Sequence, residues 1–353
     1  MRARLEAALQ ACWWRPKPDA LAWLLWPLSL LHRGLLALHK RRGVAAPQLP
    51  VPVLVVGNYV VGGAGKTPTV IAVVQALQSA GHRPGVISRG HGREGVQPLA
   101  VNDLATAAAV GDEPLLIHRR CGVPVWVGRQ RAQVALALCA AHPEVDVLVA
   151  DDGLQHRALL RQAELVVFDE RGAGNGLLLP AGPLREPLPD KALRQQRVLY
   201  TAGRVTTFLP GLLATRSLRL AWPLAAWLSG DAAQAVPLQR LQKTQQMQRP
   251  SGRQLLAVAG MAAPEKFFGM LAAAGLHIDR MPLPDHHPYT TLPWPAGTAD
   301  VLVTEKDAVK MQPAAMGATR VWVVPLDLQL PAGLMDELTA LLFPPHQVPL
   351  AAP

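Results

Sequence analysis

Residues 51–80 read VPVLVVGNYVVGGAGKTPTVIAVVQALQSA, and this stretch decides the fold. Its first eight residues are a valine-rich apolar run, the length of a strand buried on both faces of a parallel sheet. Glycines follow at positions 57, 62, 63 and 65. Pro68 then suits the first turn of a helix that runs to about Ala80, and Gly81 suits its end. Strand, glycine-rich loop and helix make the setting of a phosphate-binding loop, where backbone N–H groups and the positive end of the helix converge on an anion. Within GGAGKT (62–67), Lys66 is placed to reach the β- and γ-phosphates of a nucleotide and the Thr67 hydroxyl to bind magnesium. The general pattern has glycine at position 60, where this chain has Val60.

Outward from that loop the alternation continues. Strands are expected near 84–88, 123–127, 145–150 and 164–168, with a helix near 130–141. After a polar, glutamine-rich stretch at 239–253 it resumes with strands at 254–260, 277–283, 299–305 and 320–326 and helices at 264–275 and 334–343. This reads as an α/β protein with a P-loop NTPase-like, doubly wound sheet and a second, smaller α/β domain. The expected boundaries are a basic N-terminal segment at 1–45, a P-loop domain at 46–240 and a smaller domain at 241–353, with a hinge inside 239–253 and a frayed tail from 344.

The strand VDVLVADDGLQH (145–156) ends in Asp151 and Asp152. An acid at the end of this strand serves magnesium in P-loop proteins. Two adjacent carboxylates raise each other's pKa, a conflict that a metal or a lysine relieves.

The chain is basic, with 35 Lys and Arg against 25 Asp and Glu, a net charge of +10 and a pI near 10.1. That balance implies an anionic partner. Aromatic residues are only 5% and do not interleave with basic ones, which argues against nucleic acid. Residues 1–42 hold eight Lys or Arg against Glu6 and Asp19, and four of the nine tryptophans: Trp13, Trp14, Trp23 and Trp26. Tryptophan favours the membrane–water interface and basic residues favour anionic headgroups. ALAWLLWPLSLL (20–31) is uncharged, but Pro27, His32 and Arg33 interrupt it as a span. An interfacial helix, a short or tilted span and a plain core helix are all open, the interfacial helix being favoured, with Lys40, Arg41 and Arg42 at a cytoplasmic leaflet. Cys12, Cys121 and Cys139 are too few and too scattered for a disulfide framework or a zinc knuckle.

GNYVVGGAGKTP (57–68), SRGHG (88–92), GDEP (111–114), DDGLQH (151–156), LPAGPLRE (179–186), DHH (285–287) and TEKDAVK (304–310) occur in that order. Together with the N-terminus they resemble the tetraacyldisaccharide 4'-kinase family, the lipid A 4'-kinases of Gram-negative bacteria. The resemblance implies transfer of the γ-phosphoryl of ATP, with Mg2+, to the 4'-hydroxyl of an acylated glucosamine disaccharide 1-phosphate at the cytoplasmic face of the bacterial inner membrane. It implies a membrane surface as partner, no nucleic acid and no obligate protein partner. In that family the loop also lacks the first glycine.

Position by position, the resemblance implies that Val61, Gly62, Gly63, Ala64, Gly65, Lys66, Thr67 and Pro68 hold the nucleotide. Gln155 and His156 are expected at nucleotide or metal. Thr67, Asp151, Asp152 and Glu186 are the candidate magnesium residues. Asp112 is the expected general base, and His286 pairs with it and tunes it, while Lys66 completes the catalytic set. The neighbouring His287 is an alternative to His286, and Asp112 also reads as a helix N-cap. Ser88, Arg89 and Arg185 are expected to touch the acceptor or its phosphates, and Thr304, Glu305, Lys306 and Asp307 to form a wall of the cleft. His91 stands where the family usually has tyrosine. The P-loop side is expected to supply Asp112 and the C-terminal unit His286, so that closure completes the base. Two other readings are weaker. A P-loop ligase for a soluble acid has no use for the basic N-terminus, and a nucleotide switch needs a guanine-reading NKxD, of which TEKDAVK is the nearest echo.

Overall fold

The computed structural model describes residues 2–41, 46–93, 95–241 and 255–344. Most of the expected hinge, the tail from 345 and Arg42 of the basic cluster lie outside the described residues. The chain forms two compact units. The first comprises Met1–Ser88, Gln130–Thr215 and Leu330–Pro353, and the second Arg89–Arg129 and Arg216–Gln329.

The first unit is built on a parallel sheet. Its strands run in the order Pro84–Ser88, Val147–Asp151, Val53–Gly57, Ala163–Phe168, Gln196–Tyr200 and Leu212–Leu213. Val53–Gly57 is buried throughout, as its continuous apolar run requires. Its register sets Val56 beside Asp151, so the phosphate loop and the acidic strand end emerge at the same edge of the sheet. Ligands of open α/β sheets bind at this carboxyl edge. Helix Lys66–Ser79 packs on strands Pro84–Ser88, Val147–Asp151 and Val53–Gly57 and buries Val70, Val73, Val74 and Leu77. Helix Leu334–Leu342, expected in the C-terminal domain, belongs to this unit. Its buried Leu334, Leu338 and Leu342 face helix Lys66–Ser79 and strand Ala163–Phe168.

Two helices open this unit, Arg2–Trp13 and Ala20–Arg41. Asp19 caps the second, its Oδ1 accepting the Ala22 N–H at 3.0 Å. The helix continues through Pro27. At 1.5 Å per residue its 22 residues span about 33 Å. Ala22 and Ser29, one face at a seven-residue spacing, are buried. Ser29 Oγ donates to the Leu178 carbonyl at 2.8 Å and accepts the Ala181 N–H at 3.1 Å. Trp23, Leu24, Leu28, Leu31, Leu35 and Leu38 are exposed.

The second unit carries a mixed sheet in the order Val236–Pro237, Leu220–Pro223, Arg320–Val324, Asp300–Thr304, Leu255–Ala259 and Ile278–Pro282. The last four strands are parallel, and the first two add antiparallel. Residues before 240 therefore join this unit because they complete the edge of its sheet. Phe267, Phe268, Leu271 and Leu276 close its core over Ala257, Ala259 and Leu302. Strands Leu99–Val101 and Val125–Val127, paired antiparallel, and helix Asp112–Cys121 also fall in this unit.

Candidate active site

In the first unit the phosphate loop is held from outside by side chains on its carbonyls. Asn58 Nδ2 donates to the Gly62 carbonyl at 3.4 Å, Arg171 Nη2 to Gly63 at 2.7 Å and Thr201 Oγ1 to Ala64 at 3.4 Å. These peptides are trans, so the N–H that follows each held carbonyl points the opposite way within the peptide plane. The N–H groups of Gly63, Ala64 and Gly65 are thereby each turned away from the prop on the preceding carbonyl, which leaves them unspent on those side chains. Gly62 and Gly63 are exposed and Ala64 is buried, so the loop is open at its glycines. A polyphosphate fits this loop.

Lys66 opens the following helix. Its Nζ lies 3.2 Å from Asn58 Oδ1 and 3.4 Å from Asp152 Oδ1. Arg185 Nη1 meets the same Asp152 oxygen at 2.9 Å. Burial opposes the charge of Asp152, but the Lys66 and Arg185 cations outweigh it and hold the carboxyl below its ordinary range. The sequence-level conflict between adjacent acids is resolved in this way: Asp152 turns to the lysine, while buried Asp151 accepts from Ser88 Oγ at 3.2 Å. Asp152 adopts a left-handed backbone, φ 50°, which separates the two side chains.

The expected residues divide by role. Gln155 Nε2 donates to the Asn58 carbonyl at 3.1 Å and to Glu186 Oε1 at 3.2 Å, and its Oε1 accepts from Arg185 at 3.2 Å. These bonds tie it to the residue that opens the loop and to Glu186 and Arg185. Ser88, expected at the acceptor, is buried and its Oγ donates to Asp151. Arg89 is exposed. Among the described residues no group of three or more His, Cys, Asp or Glu could hold a metal ion. Asp151, Asp152 and Glu186 therefore make no carboxylate cage. Magnesium needs none, because it takes one or two protein oxygens and completes its shell with phosphates and water. Thr67 and the strand-end acid fit that demand.

The second unit holds the expected base. Helix Asp112–Cys121 begins after Gly111, which takes the cap position, so Asp112 is the first helical residue and not the cap. Gly111 has φ 93°, and a Cβ there would meet Gly90 Cα and the His91 carbonyl at 3.2 Å. Only glycine permits that approach. Asp112 is 5% exposed. His286 Nδ1 lies 2.9 Å from its Oδ2 and 3.1 Å from its Oδ1. His286 also has a left-handed backbone, φ 59°. Strain of this kind persists where the surroundings enforce it, here by aiming the ring at the carboxylate.

Lys306 Nζ sits 3.5 Å from His286 Nε2, 3.1 Å from Asp285 and 3.3 Å from Glu113. Lys310 Nζ lies 3.9 Å from Asp112 Oδ2. Burial pushes Asp112 upward, but the His286 hydrogen bond and the two lysines outweigh it, and the carboxyl stays below its ordinary range. The Asp112 hydrogen bond in turn raises His286, against burial and Lys306. The expected tuning of the aspartate thus runs the other way: the histidine is the member whose basicity rises. The dyad is complete within one unit, so its two members need no closure to meet. His91 lies 5.6 Å from the His286 ring, centroid to centroid. Of the expected cleft wall, Lys306 reaches the dyad. Glu305 pairs with Arg120 at 2.6 Å, and buried Asp307 accepts from Thr304, the Gly260 N–H and Lys310. His287 stacks edge-on against Tyr289 at 4.8 Å.

Asn58, Arg171, Thr201 and Lys310 carried no role in the sequence reading. Asn58 and Lys310 lay inside quoted motifs, GNYVVGGAGKTP and TEKDAVK, so their signal was available.

With this geometry in hand, the similarities to other proteins become specific. The sequence matches the family model described as Tetraacyldisaccharide-1-P 4'-kinase over residues 21–342. It is 50% identical over 347 residues to the tetraacyldisaccharide 4'-kinase of Leptothrix cholodnii, covering 96% of this chain and 97% of that one. To the tetraacyldisaccharide 4'-kinase of Methylibium petroleiphilum it is 50% identical over 352 residues, covering 97% and 95%. Among solved structures, the "apo" form of LpxK from Aquifex aeolicus in complex with ATP superposes with a TM-score of 0.70 at 25% identity, covering 92% of this chain and 100% of that one. Half-identity sustained over nearly the whole length takes in both units and every motif that carried the resemblance, and the chain belongs to the tetraacyldisaccharide 4'-kinase family.

Proposed function

We infer that this protein is an ATP-dependent lipid kinase that phosphorylates the 4'-hydroxyl of a tetraacyldisaccharide 1-phosphate, a step of lipid A synthesis. Full-length family membership carries this reading. The propped phosphate loop with Lys66 is independent support, because it suits a nucleotide polyphosphate.

In the reaction, the 4'-oxygen forms a bond to the γ-phosphorus as the bond from that phosphorus to the β–γ bridging oxygen breaks, and ADP leaves. The N–H groups of Gly63, Ala64 and Gly65 and the Lys66 ammonium bind and orient the phosphates. Thr67 and Asp151 or Asp152 would hold magnesium, which when bound neutralises charge on the β- and γ-phosphates. The proton of the hydroxyl goes to the Asp112–His286 pair. Exposure divides the work within that pair: the Asp112 side chain is 5% exposed and the His286 side chain 37%. With Nδ1 directed at the carboxylate, Nε2 is the nitrogen left to take the proton. Asp112 orients the ring and stabilises the imidazolium. Lys306 Nζ at 3.5 Å and Asp285 Oδ2 at 3.7 Å flank Nε2 with opposite charges.

The exposed apolar face of helix Ala20–Arg41 suits insertion into a membrane surface, and its docked face, through Ser29, suits lying along the body rather than crossing alone. We place the protein at the cytoplasmic face of the inner membrane, where both ATP and the anionic lipid are available. The test is transfer of label from γ-labelled ATP to detergent-dispersed tetraacyldisaccharide 1-phosphate, with and without magnesium. Label in the lipid supports the reading. Release of phosphate with no lipid label overturns it in favour of a nucleotide switch.

A further inference from the structure

The loop at 169–186 joins two parts of the first unit that sequence treats as unrelated. Along its length it carries the N-terminal helices. The Asn175 N–H donates to the Trp13 carbonyl at 2.8 Å, and Trp13 Nε1 donates to the Pro180 carbonyl at 2.8 Å. Gly174 lies so close that a Cβ there would sit 2.3 Å from the Trp13 carbonyl oxygen and 3.2 Å from the Trp14 ring. The same loop also grips the phosphate loop: Val61 N–H donates to the Pro183 carbonyl at 2.9 Å, and Arg185 N–H to the Tyr59 carbonyl at 2.8 Å.

Arg171 is the single side chain of this loop that touches both parts. Its Nη2 donates to the Gly63 carbonyl at 2.7 Å. Its Nε and Nη2 grip Asp169, a carboxylate 1% exposed, at 2.9 and 2.7 Å. Its guanidinium carbon lies 4.1 Å from the centre of the Trp14 ring. Asp169 fixes the edge of the fork, Trp14 covers its face, and the remaining N–H aims at Gly63. That last bond fixes the orientation of the Gly63–Ala64 peptide within the loop.

We propose that Arg171 is a positioning residue through which the Trp14 segment sets the phosphate affinity of the loop. The proposal rests on the phosphate-loop reading above. Lysine cannot replace Arg171, because one ammonium cannot hold the carboxylate, stack on the indole and reach the carbonyl together. Phenylalanine at position 14 keeps a ring face for the guanidinium, and alanine does not.

The experiment measures binding of a fluorescent ATP analogue to the detergent-solubilised full chain without lipid, alongside KM for ATP and for lipid. Arg171→Gln and Arg171→Lys should both weaken nucleotide binding about tenfold, the scale of one charge-assisted hydrogen bond. Trp14→Ala should weaken it about threefold and Trp14→Phe less. Because both act on one contact, Trp14→Ala added to Arg171→Gln should cost nothing further. KM for ATP should follow these changes while KM for lipid stays within twofold, a split that loss of fold would not produce. Nucleotide binding by Arg171→Gln within twofold of wild type overturns the proposal, as does a Trp14→Ala effect that persists undiminished in the Arg171→Gln background. Absence of nucleotide binding by the wild type would instead overturn the phosphate-loop reading.

Discussion

Asp112→Asn tests the division of labour in the base. The carboxylate accepts one Nδ1–H across both oxygens, at 2.9 and 3.1 Å. Oδ1 also receives the Glu113 N–H at 3.2 Å, and Oδ2 faces the Lys310 ammonium at 3.9 Å. An asparagine NH2 therefore opposes a donor whichever way the amide turns. The ring keeps one acceptor and loses the charge that stabilises it once protonated. A hydrogen bond to a charged group is worth about 1.5–3 kcal/mol, and about 1.4 kcal/mol is tenfold in rate, so kcat should fall about 10- to 150-fold. The pH dependence carries a sign. Asp112 raises His286, and the base works deprotonated, so wild-type kcat climbs as pH rises through that raised value. Removing the carboxylate lowers His286, and the acid limb of the profile should move to lower pH. The assay is lipid phosphorylation at saturating substrates across pH, with a thermal melt to confirm folding. His286→Gln should abolish the limb and cost at least as much rate. The reasoning fails if Asp112→Asn leaves the limb in place, or if His286→Gln is the milder of the two.

Asn58→Ala removes one prop of the phosphate loop and the Lys66 partner together, so KM for ATP should rise about tenfold with kcat less affected, as steady-state kinetics would reveal. Stability should vary with pH in a definite window. Asp112 and Asp152, held low, contribute stability that is present above about pH 4 and lost as pH falls through their folded values. His286, held high, contributes stability that is present below about pH 6.5 and lost as pH rises through its folded value, so melting temperature should be highest between these limits and flatter in Asp112→Asn. Phe268→Ala empties a fully buried position in the second unit and should cost about 3–5 kcal/mol in denaturant unfolding. Leu24, Leu31 and Leu35 are 76%, 62% and 57% exposed, so replacing all three by glutamine should leave the melting temperature unchanged while reducing flotation with anionic vesicles at least tenfold.

The strands and helices around the phosphate loop were legible because their signals are local. Val53–Gly57, Pro84–Ser88 and Val147–Asp151 are short apolar runs bounded by turn residues, and burial follows from the run itself. The division into units was not legible, because it depends on pairing between remote strands. Leu220–Pro223 has nothing in its sequence that announces its partner, Arg320–Val324, and helix Leu334–Leu342 presents an apolar face that any sheet could cover. Asp112 was assigned to the P-loop side on sequence position alone, whereas helix Asp112–Cys121 packs with helix Glu305–Ala308 of the second unit.

The candidate site divides along the same physical line. Lys66 and Thr67 can be named from sequence because a phosphate loop fixes its own chemistry within a few residues. The side chains that orient its peptides cannot, since Asn58, Arg171 and Thr201 come from three separate strand ends and meet only when the sheet forms. The base illustrates a deeper limit. Residue type assigns the proton to an aspartate, and chemistry then asks for a partner that makes it more basic. His286 does the opposite, because a buried carboxylate bonded to an imidazole and flanked by two lysines is stabilised as the anion. The gain in basicity appears on the histidine, 174 residues away in sequence and more exposed to an incoming hydroxyl. In the reaction we propose, the proton acceptor is therefore defined by an exchange of electrostatic stabilisation between two side chains. Neither residue carries that information alone, and it exists only once both are held in one unit.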